Sequence, residues 1–296
     1  LPIIEFGIRE MKIAILGAQG FVGGNLGRAL ISHGHDVTGY VLNPDLGSSA
    51  GFPCKSVYGL LNSAVGSESY YDVTINLAAR RRTNAQPFTE SEVNNFTFKI
   101  PKEFILRTAG PDTLVLNSST YIQNFGGTSG RTVDSYGASK EMLSRFLELE
   151  SSQHRFRTLD LFFFTLYGVG DRSNHLVPLL IDAAANGKQI LLSPGNQLMN
   201  LLFIEDAIDN ILKCIDGRVF IGYTKNYVWS DEYFSVRELV ERIQNAIGRS
   251  IECTWGAREY VGHEMMEPWA IPMKQLHGFV APTKLETGIK KIWEST

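Results

Sequence analysis

The sequence predicts an α/β protein: a doubly wound parallel sheet followed by a smaller C-terminal lobe. Three observations carry this expectation. Short apolar runs alternate with helix-period segments up to Phe164, the first run ends in a glycine-spaced turn, and the chain becomes loop-rich after Gly168. Strands alternating with helices imply parallel pairing through right-handed crossovers. Lys12 to Leu16 reads as a buried strand, Phe21 to Ile31 as a helix stopping near Gly34, and Asp36 to Leu42 as a second strand. Asp72 to Ala79, Thr113 to Asn117 and Leu159 to Phe164 read as further strands, with helical patterns over Glu92 to Thr108, broken near Pro101, and Ser135 to Ser151. Beyond Gly168 the spacing predicts helices over Leu176 to Asn186, Ile204 to Ile215 and Val236 to Ile247, a short strand at Gln189 to Leu192, and a loop-rich end from Cys253. The expected division is 11–170 for the sheet domain and 171–296 for the lobe, partly interleaved with the sheet. Residues 1–10 are assigned no role, and Met11 opens the fold.

Composition narrows the functional classes. Of 296 residues, 44% are hydrophobic and 20% charged, with a net charge of −3 and no basic block, so nucleic acid is not an expected partner. The run Arg80-Arg81-Arg82 is long enough to hold one phosphate or diphosphate. Three widely spaced cysteines without a C-x-x-C, and histidines without ligand spacing, indicate neither a disulfide framework nor a metal site. The cysteine pattern fits a reducing, cytoplasmic setting. No apolar run is long enough to span a bilayer, so no membrane association is expected.

Gly17-Ala-Gln19-Gly20-Phe21-Val22-Gly23 lies between a strand and a helix, which is the setting a dinucleotide fingerprint requires. Gly17 allows the tight turn, Gly20 lets backbone approach a pyrophosphate, and the helix N-terminus offers N–H groups to it. This makes the sheet a Rossmann-type one. After the second strand, Tyr40-Val41-Leu42-Asn43 offers no acid for an adenosine ribose, which favours NADP(H) over NAD(H). Tyr136 and Lys140, four apart, share one helix face. A lysine close to a phenol favours the phenolate and suits the tyrosine to general acid/base work. Proton transfer coupled to hydride transfer is the chemistry such a pair supports beside a dinucleotide.

Taken in order, the Gly17 turn, Asn76-Leu77-Ala78-Ala79, Asn117-Ser-Ser-Thr-Tyr-Ile, Tyr136-x-x-x-Lys140, Leu166-Tyr-Gly-Val-Gly-Asp and Leu201-Leu-Phe-Ile-Glu-Asp-Ala resemble the extended short-chain dehydrogenase/reductase family, in its nucleotide-sugar branch. Leu176 to Ala184 and Leu192 to Gln197 look most like reductases of NDP-4-keto-6-deoxy sugars, enzymes of deoxysugar and O-antigen-type biosynthesis. The resemblance implies that Leu77, Ala78 and Ala79 join the turn in cofactor binding. It also implies that Tyr136 exchanges a proton with the sugar oxygen at C4 while Lys140 holds the nicotinamide ribose, and that a strand-end hydroxyl assists. Counting back from Tyr121-Ile122 favours Ser118, with Ser119 second; Thr120 completes the row. It implies a homodimer packed through the Glu92 and Ser135 helices, although those apolar positions can equally be core.

The sequence departs from the family pattern in three places. Met199-Asn200 stands where an arginine often anchors the substrate diphosphate, and Arg80 to Arg82 or Arg172 are the candidate substitutes. Thr165 replaces an asparagine common beside the substrate. No acid follows at Val57 to Leu60. A 4,6-dehydratase needs an Asp-Glu pair after the strand-end hydroxyl, and Ser119, Thr120 and Tyr121 exclude it. Reduction of a C4 ketone is the expected reaction, with an NAD-dependent 4-epimerase and a non-catalytic dinucleotide sensor as alternatives.

Overall fold

The computed structural model describes residues 9–44, 50–64, 70–81, 87–217, 221–262, 264–270 and 272–296. The strands are β1 Lys12–Leu16, β2 Asp36–Val41, β3 Cys54–Ser56, β4 Val73–Asn76, β5 Leu114–Thr120, β6 Arg157–Phe163, β7 Thr165–Tyr167, β8 Ile190–Leu191, β9 Leu198–Met199, β10 Leu201–Phe203, β11 Tyr223–Val228, β12 Phe234–Ser235 and β13 Cys253–Thr254. The helices are α1 Phe21–Ser32, α2 Val57–Asn62, α3 Glu90–Asn94, α4 Ile100–Thr108, α5 Ser135–Ser152, α6 Leu176–Asn186, α7 Ile204–Gly217, α8 Val236–Ile247 and α9 Leu285–Glu294. None is long and apolar enough to cross a membrane.

The chain forms two compact units that alternate in sequence. One comprises 1–119, 134–161 and 210–226; the other comprises 120–133, 162–209 and 227–296. The first holds most of a seven-stranded sheet ordered β11-β6-β5-β4-β1-β2-β3, with parallel pairing from β3 through β2, β1 and β4 to β5. Strand order reverses between β1 and β4, the switch point at which such sheets bind ligands beyond their strand ends. β1 buries Ile13, Ala14, Ile15 and Leu16, as a strand covered on both faces must. Leu16 and Tyr40 pack with Phe104 and Ile105 of α4 and Leu143 and Leu147 of α5.

The helical pattern before Thr108 is three pieces: α3, a π-helical turn over Asn95–Lys99, and α4. Pro101 has no N–H to offer the carbonyl of Thr97, so the wider turn precedes it. In the second unit, short pairings of β7 with β10, β9 with β12 and β8 with β13 are surrounded by α6, α8 and α9. Their shared core includes Tyr167, Leu180, Phe203, Leu239, Ile243 and Ile289.

Four elements correct the sequence expectations. β3 and α2 occupy residues 54–62, to which the sequence reading assigned no element. β11, only half-buried over Tyr223–Asn226, joins the sheet edge, and α9 lies in the end read as loop. β11 escapes a hydrophobicity reading because a polar edge strand lacks an apolar run. α9 carries apolar residues at 285, 289, 292 and 293 but starts at Lys284 with no capping side chain to announce it.

Candidate active site

The turn after β1 lies against the end of β4. Gly17 has φ +86°, and a Cβ there would stand 3.0 Å from Ala78 N and from Leu77 C. Gly17 N donates to Tyr40 O, and Leu77 N to Leu16 O, both at 3.0 Å. The glycine turn and the Leu77-Ala78 stretch are thus one backbone surface at the switch point. α1 starts at Gly20 with no capping side chain, leaving its first turn for an anionic ligand. Gln19 Nε2 reaches Asn43 O at 3.4 Å, tying the turn to the end of β2. Phe21 and Val22 open the helix, half-buried, and Ala79 is exposed. These features fit a dinucleotide phosphate.

A Cβ on Gly23 would lie 2.2 Å from Gly17 O and 2.9 Å from Ala18 Cα, both backbone atoms that cannot swing aside. Gly23→Ala is expected to cost about 1–3 kcal/mol of stability. It should also abolish the rise in melting temperature that added dinucleotide gives the unaltered protein. Calorimetry with and without dinucleotide reads both effects.

Tyr136 and Lys140 lie in the first two turns of α5, which Asp134 caps by accepting from Gly137 N at 2.7 Å. Tyr136 is half-buried; Lys140 is 1% exposed and donates from Nζ to Ser118 O at 2.5 Å. Burial pushes the Lys140 ammonium down to about 8, against the field of Asp160, which raises it. The lysine is thereby fixed to the end of β5, the strand that carries the candidate hydroxyls.

Those hydroxyls differ in what they touch. Ser119 Oγ is buried, donates to Asp160 Oδ1 at 2.6 Å and lies 3.1 Å from Ser144 Oγ and Asn117 Nδ2. It is committed to the interior. Thr120 is buried, and its N–H donates to Gln123 Oε1 at 2.9 Å, opening a 3-10 turn. Ser118 alone of the three is half-buried rather than buried.

The arginine run divides. Arg80 lays its guanidinium over Phe96 and Phe88, 3.8 and 4.6 Å from the ring centroids. Arg81 pairs with Asp134 at 3.4 Å and lies 5.7 Å from the Tyr136 ring centroid, so it is the member that approaches the tyrosine. Arg82 lies outside the described residues.

The second unit has its own cavity of about 610 Å³, lined among others by Tyr121, Leu176, Gln197, Met199, Lys188 and Arg258. Met199 therefore lines it without a charge; Lys188 is paired with Asp182 of the same lining at 3.0 Å, and Arg258, which sequence spacing did not single out, lines it together with Glu259 and Glu264. Arg172 is exposed and is not among the lining residues. Thr165 begins β7, its N–H 3.4 Å from Asn200 O; Asn200 itself is spent on backbone bonds to residues 230 and 232. Beside the cavity Tyr121 stacks on Phe164 with centroids 4.1 Å apart, and Trp229 and Trp269 extend this aromatic cluster.

Residues 13–221 match the model of the NAD dependent epimerase/dehydratase family. The chain is 27% identical over 269 residues to the CDP-abequose synthase of Yersinia pseudotuberculosis, covering 87% of this chain and 92% of that protein. Among solved structures it is similar to UDP-glucuronic acid 4-epimerase from Bacillus cereus in complex with UDP-glucuronic acid and NAD, with a TM-score of 0.80, 18% identity and coverage of 96% and 98%. It is also similar to MoeE5 in complex with UDP-glucose and NAD, with a TM-score of 0.81, 19% identity and coverage of 96% and 97%. At those identities the structural likeness establishes the fold.

Proposed function

The chain belongs to the NAD dependent epimerase/dehydratase family, and within that family we propose that it reduces the C4 ketone of a nucleotide-linked 4-keto-6-deoxy sugar. The observation that carries this reading is the arrangement at the end of β5. Lys140 is buried and anchored there one helical turn from Tyr136, with a half-buried serine and no carboxylate in the three residues that follow it. Gly17, Gly20, Gly23, Leu77 and Ala78 would hold the dinucleotide, whose nicotinamide supplies the hydride when bound. NADPH is the expected form, because no acid at the end of β2 opposes a 2′-phosphate.

The protein's own contribution is proton transfer and charge stabilisation. As the C4 carbonyl carbon gains hydride, its oxygen takes the phenolic proton of Tyr136, leaving a secondary alcohol and a phenolate that solvent reprotonates. The Lys140 ammonium stabilises that phenolate. Ser118 donates a hydrogen bond to the same oxygen. Ser119, bound to Asp160, instead supports the strand end. Elimination would need a base at C5 and an acid at C6; Asp160, the carboxylate bonded to Ser119 of this strand, is fully buried and occupied by three donors.

The nucleotide diphosphate is assigned to the cavity of the second unit, with Arg258 in place of the arginine missing at Met199. Arg258→Ala is expected to raise KM for the nucleotide sugar by about 10- to 150-fold, equivalent to losing roughly 1.5–3 kcal/mol of a charged hydrogen bond. Since this contact is made to the diphosphate and not to the reacting carbon, kcat should change little; steady-state kinetics reads the split. The name of the Yersinia relative directs the first substrate tested to a CDP-linked one. Exposed Met142 and Leu149 on α5 are consistent with the expected homodimer.

Reductase and epimerase are separated by one experiment. The purified protein is given a CDP-4-keto-6-deoxyhexose with NADPH, and separately a nucleotide hexose with no added cofactor. Oxidation of NADPH only in the first supports reduction. Interconversion of C4 epimers in the second, on dinucleotide retained through purification, overturns it.

A further inference from the structure

Beneath the proposed active site, a line of polar side chains runs across four neighbouring strands. Asn76 of β4 donates to Asn117 Oδ1 of β5 at 2.8 Å, and Asn117 Nδ2 donates to Asp160 Oδ1 of β6 at 2.8 Å. Tyr223 OH of β11 donates to Asp160 Oδ2 at 2.7 Å, and Ser119 Oγ to Oδ1 at 2.6 Å. At the other end Ala78 N donates to Asn76 Oδ1 at 3.2 Å, so the line reaches the proposed dinucleotide surface. Asp160 is 0% exposed. A buried carboxylate is costly unless hydrogen-bonded and matched by a cation. It accepts three hydrogen bonds, yet none comes from a cation.

We propose that Asp160 is a positioning residue, a buried counter-charge that keeps Lys140 protonated at the working pH and ties the strand-end hydroxyls in place. The inference rests on the Tyr136–Lys140 assignment and assigns the buried aspartate behind it a function. The cation it serves is held one residue away along β5: Lys140 Nζ donates to Ser118 O, while Asp160 accepts from Ser119. The groups facing Asp160 are Asn117 and Ser119 from β5, Lys140 with Ser144 (through Ser119) from α5, and Tyr223 from β11; Glu148 on α5 acts on Tyr223. Burial and the Asp160 charge hold the Tyr223 phenol far above its usual range, so it stays a neutral donor. Lys140 is then the cation to which this carboxylate answers. Its field opposes the burial that lowers the ammonium to about 8.

The test titrates Lys140 directly, by NMR of protein labelled with ¹³Cε-lysine and saturated with oxidised dinucleotide, its resonance identified by loss in Lys140→Arg. Asp160→Asn removes the charge while keeping the shape, and the hydroxyls of Ser119 and Tyr223 can turn to suit an amide. The Lys140 midpoint is expected to fall by about one pH unit or more. Tyr223→Phe, which loses one hydrogen bond and keeps the charge, should leave it nearly unmoved. An unmoved midpoint in Asp160→Asn, or an equal fall in Tyr223→Phe, overturns the proposal. Should Asp160→Asn not fold, the unaltered protein decides: the Asp160 carboxyl ¹³C shift must step at the Lys140 midpoint, and a flat trace contradicts the linkage. No sugar substrate is used, so a wrong substrate assignment leaves this result standing, and the converse also holds.

Discussion

Tyr136→Phe is expected to lower kcat for ketone reduction by about 10²- to 10⁴-fold, the range for loss of a positioned general acid. The substitution removes one oxygen from a half-buried ring at the start of α5. It leaves the Asp134 cap, the Gly17 turn and the Lys140 anchor on Ser118 O in place. Dinucleotide affinity, read by fluorescence titration, should therefore change by less than about threefold, since roughly 0.6 kcal/mol would be needed for more. The prediction separates a chemical role from a binding one. A loss of affinity matching the loss of kcat would assign Tyr136 to cofactor binding. Survival of most of the activity would remove it from the reaction.

The second large effect concerns Lys140. An ammonium that titrates near 8 in the folded protein and near 10.5 when unfolded is a cost to stability. Below about pH 8 both states hold the proton and the folded state bears the full cost, on the order of 3 kcal/mol. Between the two values the unfolded chain binds more protons than the folded one, so stability rises with pH. Above the unfolded value both forms are neutral and the cost is gone. Lys140→Met has no such group to titrate. The stability of the unaltered protein relative to Lys140→Met should therefore rise by about 2–3 kcal/mol between roughly pH 7 and pH 10, measured by denaturant unfolding. A flat difference across that range would show that the lysine is not a buried cation. Activity should fall in Lys140→Met at every pH, because no other cation is anchored on Ser118 O among the described residues. A side chain that costs stability and is tied to the strand end is the pattern of a group retained for function.

How much of this was legible in the sequence depends on how local each feature is. The turn at Gly17 and the Tyr136–Lys140 spacing are set within one strand-turn-helix and one helical turn, and both elements stand where periodicity put them. The doubly wound parallel sheet was legible for the same reason, because its central strands are apolar runs between helices. β11 was not, since a half-buried polar edge strand has no apolar signature. Ser118 and Ser119 are identical as letters; only the alternation of β5 and the carboxylate of Asp160 distinguish them. Asp160 itself sits inside the apolar run Leu159 to Phe164, and its partners come from β5 and β11, far away in the chain. Arg258 lies in a loop whose path no spacing rule fixes, and it lines the cavity together with residues of α6, β8 and β9, which are distant in the chain.

The central claim is that hydride is delivered to C4 of a nucleotide-linked keto sugar. Turnover with NADPH deuterated at the transferable position, followed by NMR of the product, tests this most directly. One deuterium at C4 of the sugar per dinucleotide oxidised, with none at C5 or C6, is the predicted result. Deuterium at another carbon, or a product formed without dinucleotide oxidation, would contradict it.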